Sequence, residues 1–199
     1  VARRTFAAED PRRTGAVVAG FVQGLSGFAF SMVSMSIWVW ALDPKLAAVM
    51  AVFGSLVGQV IGVFTVPRQL SWRELAPFVA GGLLGIPLGV IVLPQLDAHV
   101  FKAGLGALLV VACPAMLFAA QLPRVTLRNS VLSRAADGLA GLGGGFMGGL
   151  GGFTGVVPTL WCTLRGLDKA AQRAVVQNFN LATLAVTMAA YIATGAVTR

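Results

Sequence analysis

The residues of this chain that could bind a polar ligand lie inside long uncharged stretches, around two glycine-rich segments. Where a helix unwinds and restarts, its free backbone N–H groups carry partial positive charge and bind anions. Amide and hydroxyl side chains near such a break add hydrogen bonds. The sequence therefore predicts a binding site for a small anion made of the following residues: Gln23, Ser26, Gly27, Phe28, Gly151, Gly152, Phe153, Thr154, Asn178 and Asn180.

Catalytic chemistry is not indicated by the residue pattern. The single histidine, His99, lies between apolar stretches, and the seven carboxylates lie in the N-terminal tail, in connections or at the ends of stretches. Residues 143–148 match the G-x-G-x-x-G dinucleotide pattern, but no strand precedes them, which that fingerprint requires. We therefore expect no enzyme, no cofactor and no metal site.

Composition indicates that the site is positioned by membrane-spanning helices. Hydrophobic residues make up 57% of the chain and charged residues only 11%, against roughly 25% charged in soluble domains. About 20 apolar residues cross the hydrocarbon core. We predict an all-α, polytopic bundle of six spans with an internal repeat and broken glycine-rich helices, from the uncharged runs 14–42, 46–66, 75–96, 103–123, 138–164 and 174–198.

An internal repeat relates the two glycine-rich segments. Gly24-Leu25-Ser26-Gly27-Phe28 returns as Gly149-Leu150-Gly151-Gly152-Phe153, and the same shift relates Leu42-Asp43 to Leu167-Asp168. We predict a cytoplasmic tail over 1–13, a first repeat of four spans over 14–134 and a second, incomplete repeat of two spans over 135–199. Duplicated, interrupted spans are typical of secondary transporters.

The relative direction of the two repeats is left open. Counting each uncharged run as one crossing gives parallel repeats, whereas a re-entrant pair in the first run gives inverted repeats. The net charge of +8 is spread over short connections, so we expect no nucleic-acid partner. Basic residues favour a cytoplasmic N-terminus, although Arg165, Lys169 and Arg173 would then lie outside.

Two functions remain open for the glycines of residues 141–155, nine in fifteen positions. At four-residue spacing they would let another helix approach closely, or they would unwind the helix near Gly151 and Gly152. The amides of the spans likewise fit either helix packing or the lining of a substrate route. The tryptophans near span ends, Trp38 and Trp161 among them, are predicted to anchor the chain at the membrane surface.

The two glycine motifs resemble the sulfite exporter TauE/SafE family, also called the toluene-sulfonate uptake permease family. The resemblance rests on residues 20–28 and 148–153, each followed by an apolar stretch, a Leu-Asp turn and an Ala-rich span. Phe30 and Ser31 stand where members often carry further glycine. The resemblance implies a bacterial inner-membrane carrier that moves sulfite, sulfonates or related organic acids.

A non-transporting scaffold or complex subunit is the alternative function. In that case the glycines only pack helices together. Expected partners are a small anionic substrate and the lipid bilayer, and homo-oligomerisation is left open.

Overall fold

The described part of the chain folds into a bundle of eight α-helices. The structure is a computed structural model and describes residues 11–65, 71–118, 121, 124–125 and 130–195. A short 3-10 turn, Leu93–Gln95, follows α4, and no strand occurs in the described ranges, so the all-α prediction is confirmed. The helices are α1 Pro11–Ser26, α2 Phe30–Trp38, α3 Pro44–Thr65, α4 Trp72–Val92, α5 Ala98–Leu117, α6 Ser130–Gly151, α7 Val156–Leu164 and α8 Lys169–Ala193.

Four of these segments are long and apolar enough to cross a membrane: Pro44–Thr65, Trp72–Gln95, Ala98–Leu117 and Lys169–Ala193. They correspond to four of the six uncharged runs. The other two runs, 14–42 and 138–164, are each divided between two helices, α1 with α2 and α6 with α7.

The first divided run folds back on itself. α1 ends at Ser26, and Gly27 follows with φ of 84°, a left-handed conformation that glycine adopts without the steric cost of a Cβ. At the far end of α2, the Trp38 indole N–H donates to the carbonyl oxygen of Pro11 over 3.1 Å. Because the end of α2 lies beside the start of α1, the two helices are antiparallel.

The second divided run reverses in the same way. Gly152 has φ of 80° between α6 and α7. Arg165, directly after the last residue of α7, pairs with Asp137 in the first half of α6 at 2.8 Å. The short helix α7 therefore also returns along the helix that precedes it.

A capping aspartate follows each pair of antiparallel helices. The Asp43 carboxylate accepts from the backbone N–H of Lys45 over 2.9 Å at the start of α3. The Asp168 carboxylate accepts from the N–H groups of Ala170 and Ala171, each over 2.9 Å, at the start of α8. Such caps satisfy N–H groups that the first turn of a helix leaves free, which explains why the Leu-Asp pair recurs.

Glycine faces hold α4 and α6 in close, parallel contact. A Cβ on Gly85 would overlap the Leu142 carbonyl, and one on Gly145 would overlap the Gly82 carbonyl. The contacts advance together along both helices, since Gly89 meets Phe146 one turn later. The close approach that four-residue spacing predicts therefore occurs on this face of α6.

These contacts define the two ends of the bundle. The starts of α4 and α6 share one end because the helices run parallel, and Ser71 before α4 lines a cavity together with Asp168 before α8. We call this the α8 end. The opposite end, the α1 end, contains Pro11 and Trp38, and the ammonium of Lys102 in the first turns of α5 lies 5.1 Å from the Trp40 ring centre.

We predict that Gly85→Ala destabilises the protein by about 1–3 kcal/mol, because a methyl group would force α4 and α6 apart. The measurement is the thermal unfolding midpoint in detergent. Gly104→Ala on α5 is the matched control, since no described atom outside its own stretch of helix lies within 4 Å of its Cβ position. Equal midpoints for both variants would show that the α4–α6 contact is looser than described.

Candidate functional site

The two glycine turns meet inside the bundle. We call residues 27–29 the first turn and residues 152–155 the second turn. The Cβ position of Gly155 lies 2.9 Å from a ring carbon of Phe28 and 3.0 Å from the side-chain nitrogen of Asn180, and that of Gly152 touches the Ser31 hydroxyl. The N-terminus of α2 therefore lies next to the turn that begins α7.

The N-termini of α2 and α7 have no side-chain cap at the N-cap position. The first N–H groups of a helix lack intrahelical partners and carry the positive end of its dipole. Two such ends lie side by side here. In α7 the Val156 N–H donates to the Phe153 carbonyl oxygen over 3.5 Å and Pro158 has no N–H, so α2 offers more free donors than α7. This arrangement suits a small anion.

Three amides from three helices surround the first turn. Gln59 of α3 donates to the carbonyl oxygen of Gly27 over 2.5 Å, and Gln23 of α1 donates to the carbonyl oxygen of Ser55 over 3.0 Å. The side-chain nitrogen of Gln177 of α8 lies 2.9 Å from the Cβ position of Gly27. Gln59 therefore holds the first turn from a helix remote in sequence, and Gln177 packs against Gly27.

Several buried oxygens near these turns lack a hydrogen-bond partner. Burying an unpaired polar atom costs about 1–3 kcal/mol, so such atoms mark positions where water or a ligand would bind. Within the described residues they are Gln23 Oε1, Thr159 Oγ1, Gln177 Oε1, Asn180 Oδ1 and Thr187 Oγ1.

Two cavities adjoin the first turn and share Gly27, Arg173 and Gln177 in their walls. The apolar cavity, of about 540 Å³, lies between α1, α3 and α8, and Phe30 and Trp38 are among its lining residues. The cationic cavity, of about 280 Å³, is lined by Ser26, Phe28, Thr159, Lys169 and Gln172 besides the shared residues.

The structure brings together most, but not all, of the sequence-predicted site residues. Gln23 and Gly27 line the apolar cavity, and Ser26, Gly27 and Phe28 line the cationic one. The Ser26 hydroxyl also accepts from the N–H of Ala29 over 3.2 Å, so it supports the first turn itself.

The predicted residues of the second segment are buried within the protein. Each is classed as buried, and Thr154 is 2% exposed and packs on Gly148. Asn180 contacts this turn through Gly155. The buried residues are Gly151, Gly152, Phe153 and Thr154.

Asn178 lies apart from the other predicted site residues. Its side chain donates to the carbonyl oxygen of Ala174 over 2.8 Å. It lines a separate cavity of about 210 Å³ with Glu74 and Asp168.

Lys169 and Gln172 were not among the predicted site residues. Both line the cationic cavity beside Arg173 and Gln177. Lys169, Arg173 and Gln177 follow one another at four-residue intervals, the spacing that places side chains on one face of a helix. This four-residue spacing is the sequence feature that could have identified Lys169 as a lining residue.

A buried ion pair anchors α7. Asp137, 3% exposed, accepts from both Arg165 and the Trp161 indole N–H, the latter over 2.7 Å. Trp161 therefore bonds within the protein, and Trp38 is only 2% exposed, which differs from the surface-anchor role predicted for both. The anchored end of α7 fixes where its N-terminus lies.

The fold and the site define a polytopic helical membrane protein. Residues 14–199 match the family described as Sulfite exporter TauE/SafE. The chain therefore belongs to this family of membrane transporters, as its glycine motifs indicate. No match was found among curated proteins or among solved structures.

We predict that Arg165→Met destabilises the protein by roughly 3 kcal/mol, because it leaves the buried Asp137 carboxylate without its counter-charge. Thermal unfolding in detergent measures the effect. Arg134→Met, at an exposed position near the start of the same helix as Asp137, is the control. If both variants unfold at the same temperature, the ion pair does not anchor α7.

Proposed function

We propose that this protein is a secondary transporter that moves small anions, such as sulfite, sulfonates or related organic acids, across the bacterial inner membrane. The observation that carries the proposal is the meeting of the first and second turns, at the uncapped N-termini of α2 and α7. Helix N-termini bind anions without a buried cation. Because a helix N-terminus carries only a partial positive charge, an anion bound there can also be released.

We interpret the two hairpins as two copies of one inverted repeat. α1 with α2 enters from the α1 end, and α6 with α7 enters from the α8 end. Gly27 corresponds to Gly152 by the sequence shift, and both are left-handed. Inverted repeats allow one unit to rock against the other and expose a central site to each side in turn.

The alternative, a scaffold subunit, requires the glycines only for packing. The glycine face between α4 and α6 has that role, but Gly27 and Gly152 lie elsewhere, in turns. Substituting Gly27 or Gly152 therefore tests the transport function while leaving the glycine face between α4 and α6 unchanged.

We predict that Gly27→Ala and Gly152→Ala each lower anion flux by about tenfold while the protein still inserts. A left-handed alanine costs roughly 1–2 kcal/mol, and 1.4 kcal/mol corresponds to tenfold. Flux of sulfite, sulfoacetate, taurine and simple carboxylates is measured in vesicles containing the purified chain.

Gly143→Ala serves as the control for this experiment. Its Cβ position has only ordinary contacts, at 3.4 Å or more, on the same helix that leads to Gly152. Wild-type flux in both turn variants would refute the site, and absence of anion flux in the wild type would favour the scaffold function.

A further inference from the structure

We propose that the cationic cavity is an oxyanion-capture site at the α8 end, in which Lys169, Arg173, Thr159 and Gln177 bind the substrate before it reaches the first turn. This inference rests on the proposed transport function. It adds the residues that bind the anion and the kind of oxyanion that they favour.

Two cations, both exposed to solvent, line the cavity. Lys169 and Arg173 lie one helical turn apart on α8 and line the same space. Among the described residues the recorded ion pair is Asp137–Arg165, so neither cation is neutralised by a carboxylate there. Like charges at this spacing repel one another, and a bound anion would remove that cost.

The neutral groups of the cavity add hydrogen bonds of both kinds. Thr159 Oγ1 is buried without a partner among the described residues and can donate to an anion. In the same part of the structure Gln177, 5% exposed, has its Oε1 without a partner, and that oxygen can only accept. The side-chain amide of Gln172 already has a partner, because it donates to the Thr163 hydroxyl over 2.9 Å.

A ligand that satisfies both the cations and the Gln177 oxygen is an oxyanion that retains a hydrogen-bond donor. A singly protonated oxyanion such as hydrogen sulfite has this character, and so does a hydroxy-substituted sulfonate. The volume of about 280 Å³ restricts the ligand to a small molecule.

The position of the cavity connects it with the central site. Gly27, Arg173 and Gln177 form the wall shared with the apolar cavity. Gly27 begins the first turn, which leads into the uncapped N-terminus of α2 at Phe30. An anion released from Arg173 past Gly27 therefore meets the positive end of that helix.

We expect Lys169→Gln and Arg173→Gln each to raise the KM for hydrogen sulfite by about tenfold, within the usual range for a hydrogen bond to a charged group, with the maximal flux little changed. Arg173→Lys should restore most of the affinity. Lys102→Gln, which removes a cation at the α1 end, is the control and should leave KM unchanged.

The outcomes separate this inference from the proposed function. Unchanged KM in both variants, together with loss of flux in Gly27→Ala, would overturn the capture site and leave transport intact. Wild-type vesicles that carry no anion would overturn transport itself.

The role of Gln177 is tested by inhibition of sulfite flux with hydroxymethanesulfonate and methanesulfonate, which differ by one hydroxyl group. We expect the hydroxy compound to inhibit the wild type roughly fivefold more strongly, because it forms one additional hydrogen bond. Gln177→Leu should abolish this preference while methanesulfonate still inhibits. Equal inhibition of the wild type by the two compounds would overturn the selection for a donor.

Discussion

The reversal of the backbone at Gly27 and Gly152 is the constraint on which the rest of the structure depends. Both residues have positive φ, which a side chain would make costly. Each reversal ends one helix inside the bundle and starts a shorter one there. The N-termini of α2 and α7 consequently lie in the protein interior, where Phe30, Ser31 and Val156 are buried from water.

The remaining contacts keep these reversals in place. The glycine faces of α4 and α6 position the second hairpin, and the Asp137–Arg165 pair fixes the far end of α7. The Trp38–Pro11 hydrogen bond has the corresponding role in the first hairpin. Polar contacts with distant helices, such as Gln59 to Gly27, then determine the shape of the first turn.

The sequence predicted the helical class and the family, because long uncharged runs and the glycine motifs are local signals. The structure has a left-handed glycine in each motif, Gly27 and Gly152. The direction of the chain after each turn was not determined, since it depends on contacts such as Arg165 with Asp137, far apart in sequence. Asn178 and Asn180 were both predicted to line the site, yet residues two apart on a helix point about 200° apart, at about 100° per residue. The side chains of Gln177 and Asn180 lie on the interior face, and Asn178 lies beside Glu74 instead.

The most direct test of the central claim is an experimental density map of the protein with selenite, a heavier analogue of sulfite, recorded with anomalous scattering at the selenium edge. The account predicts two reversed helical hairpins and a selenium peak within hydrogen-bonding reach of the N-terminus of α2 or α7. Continuous helices through residues 24–31 and 149–156, with selenium absent from that region, would contradict it.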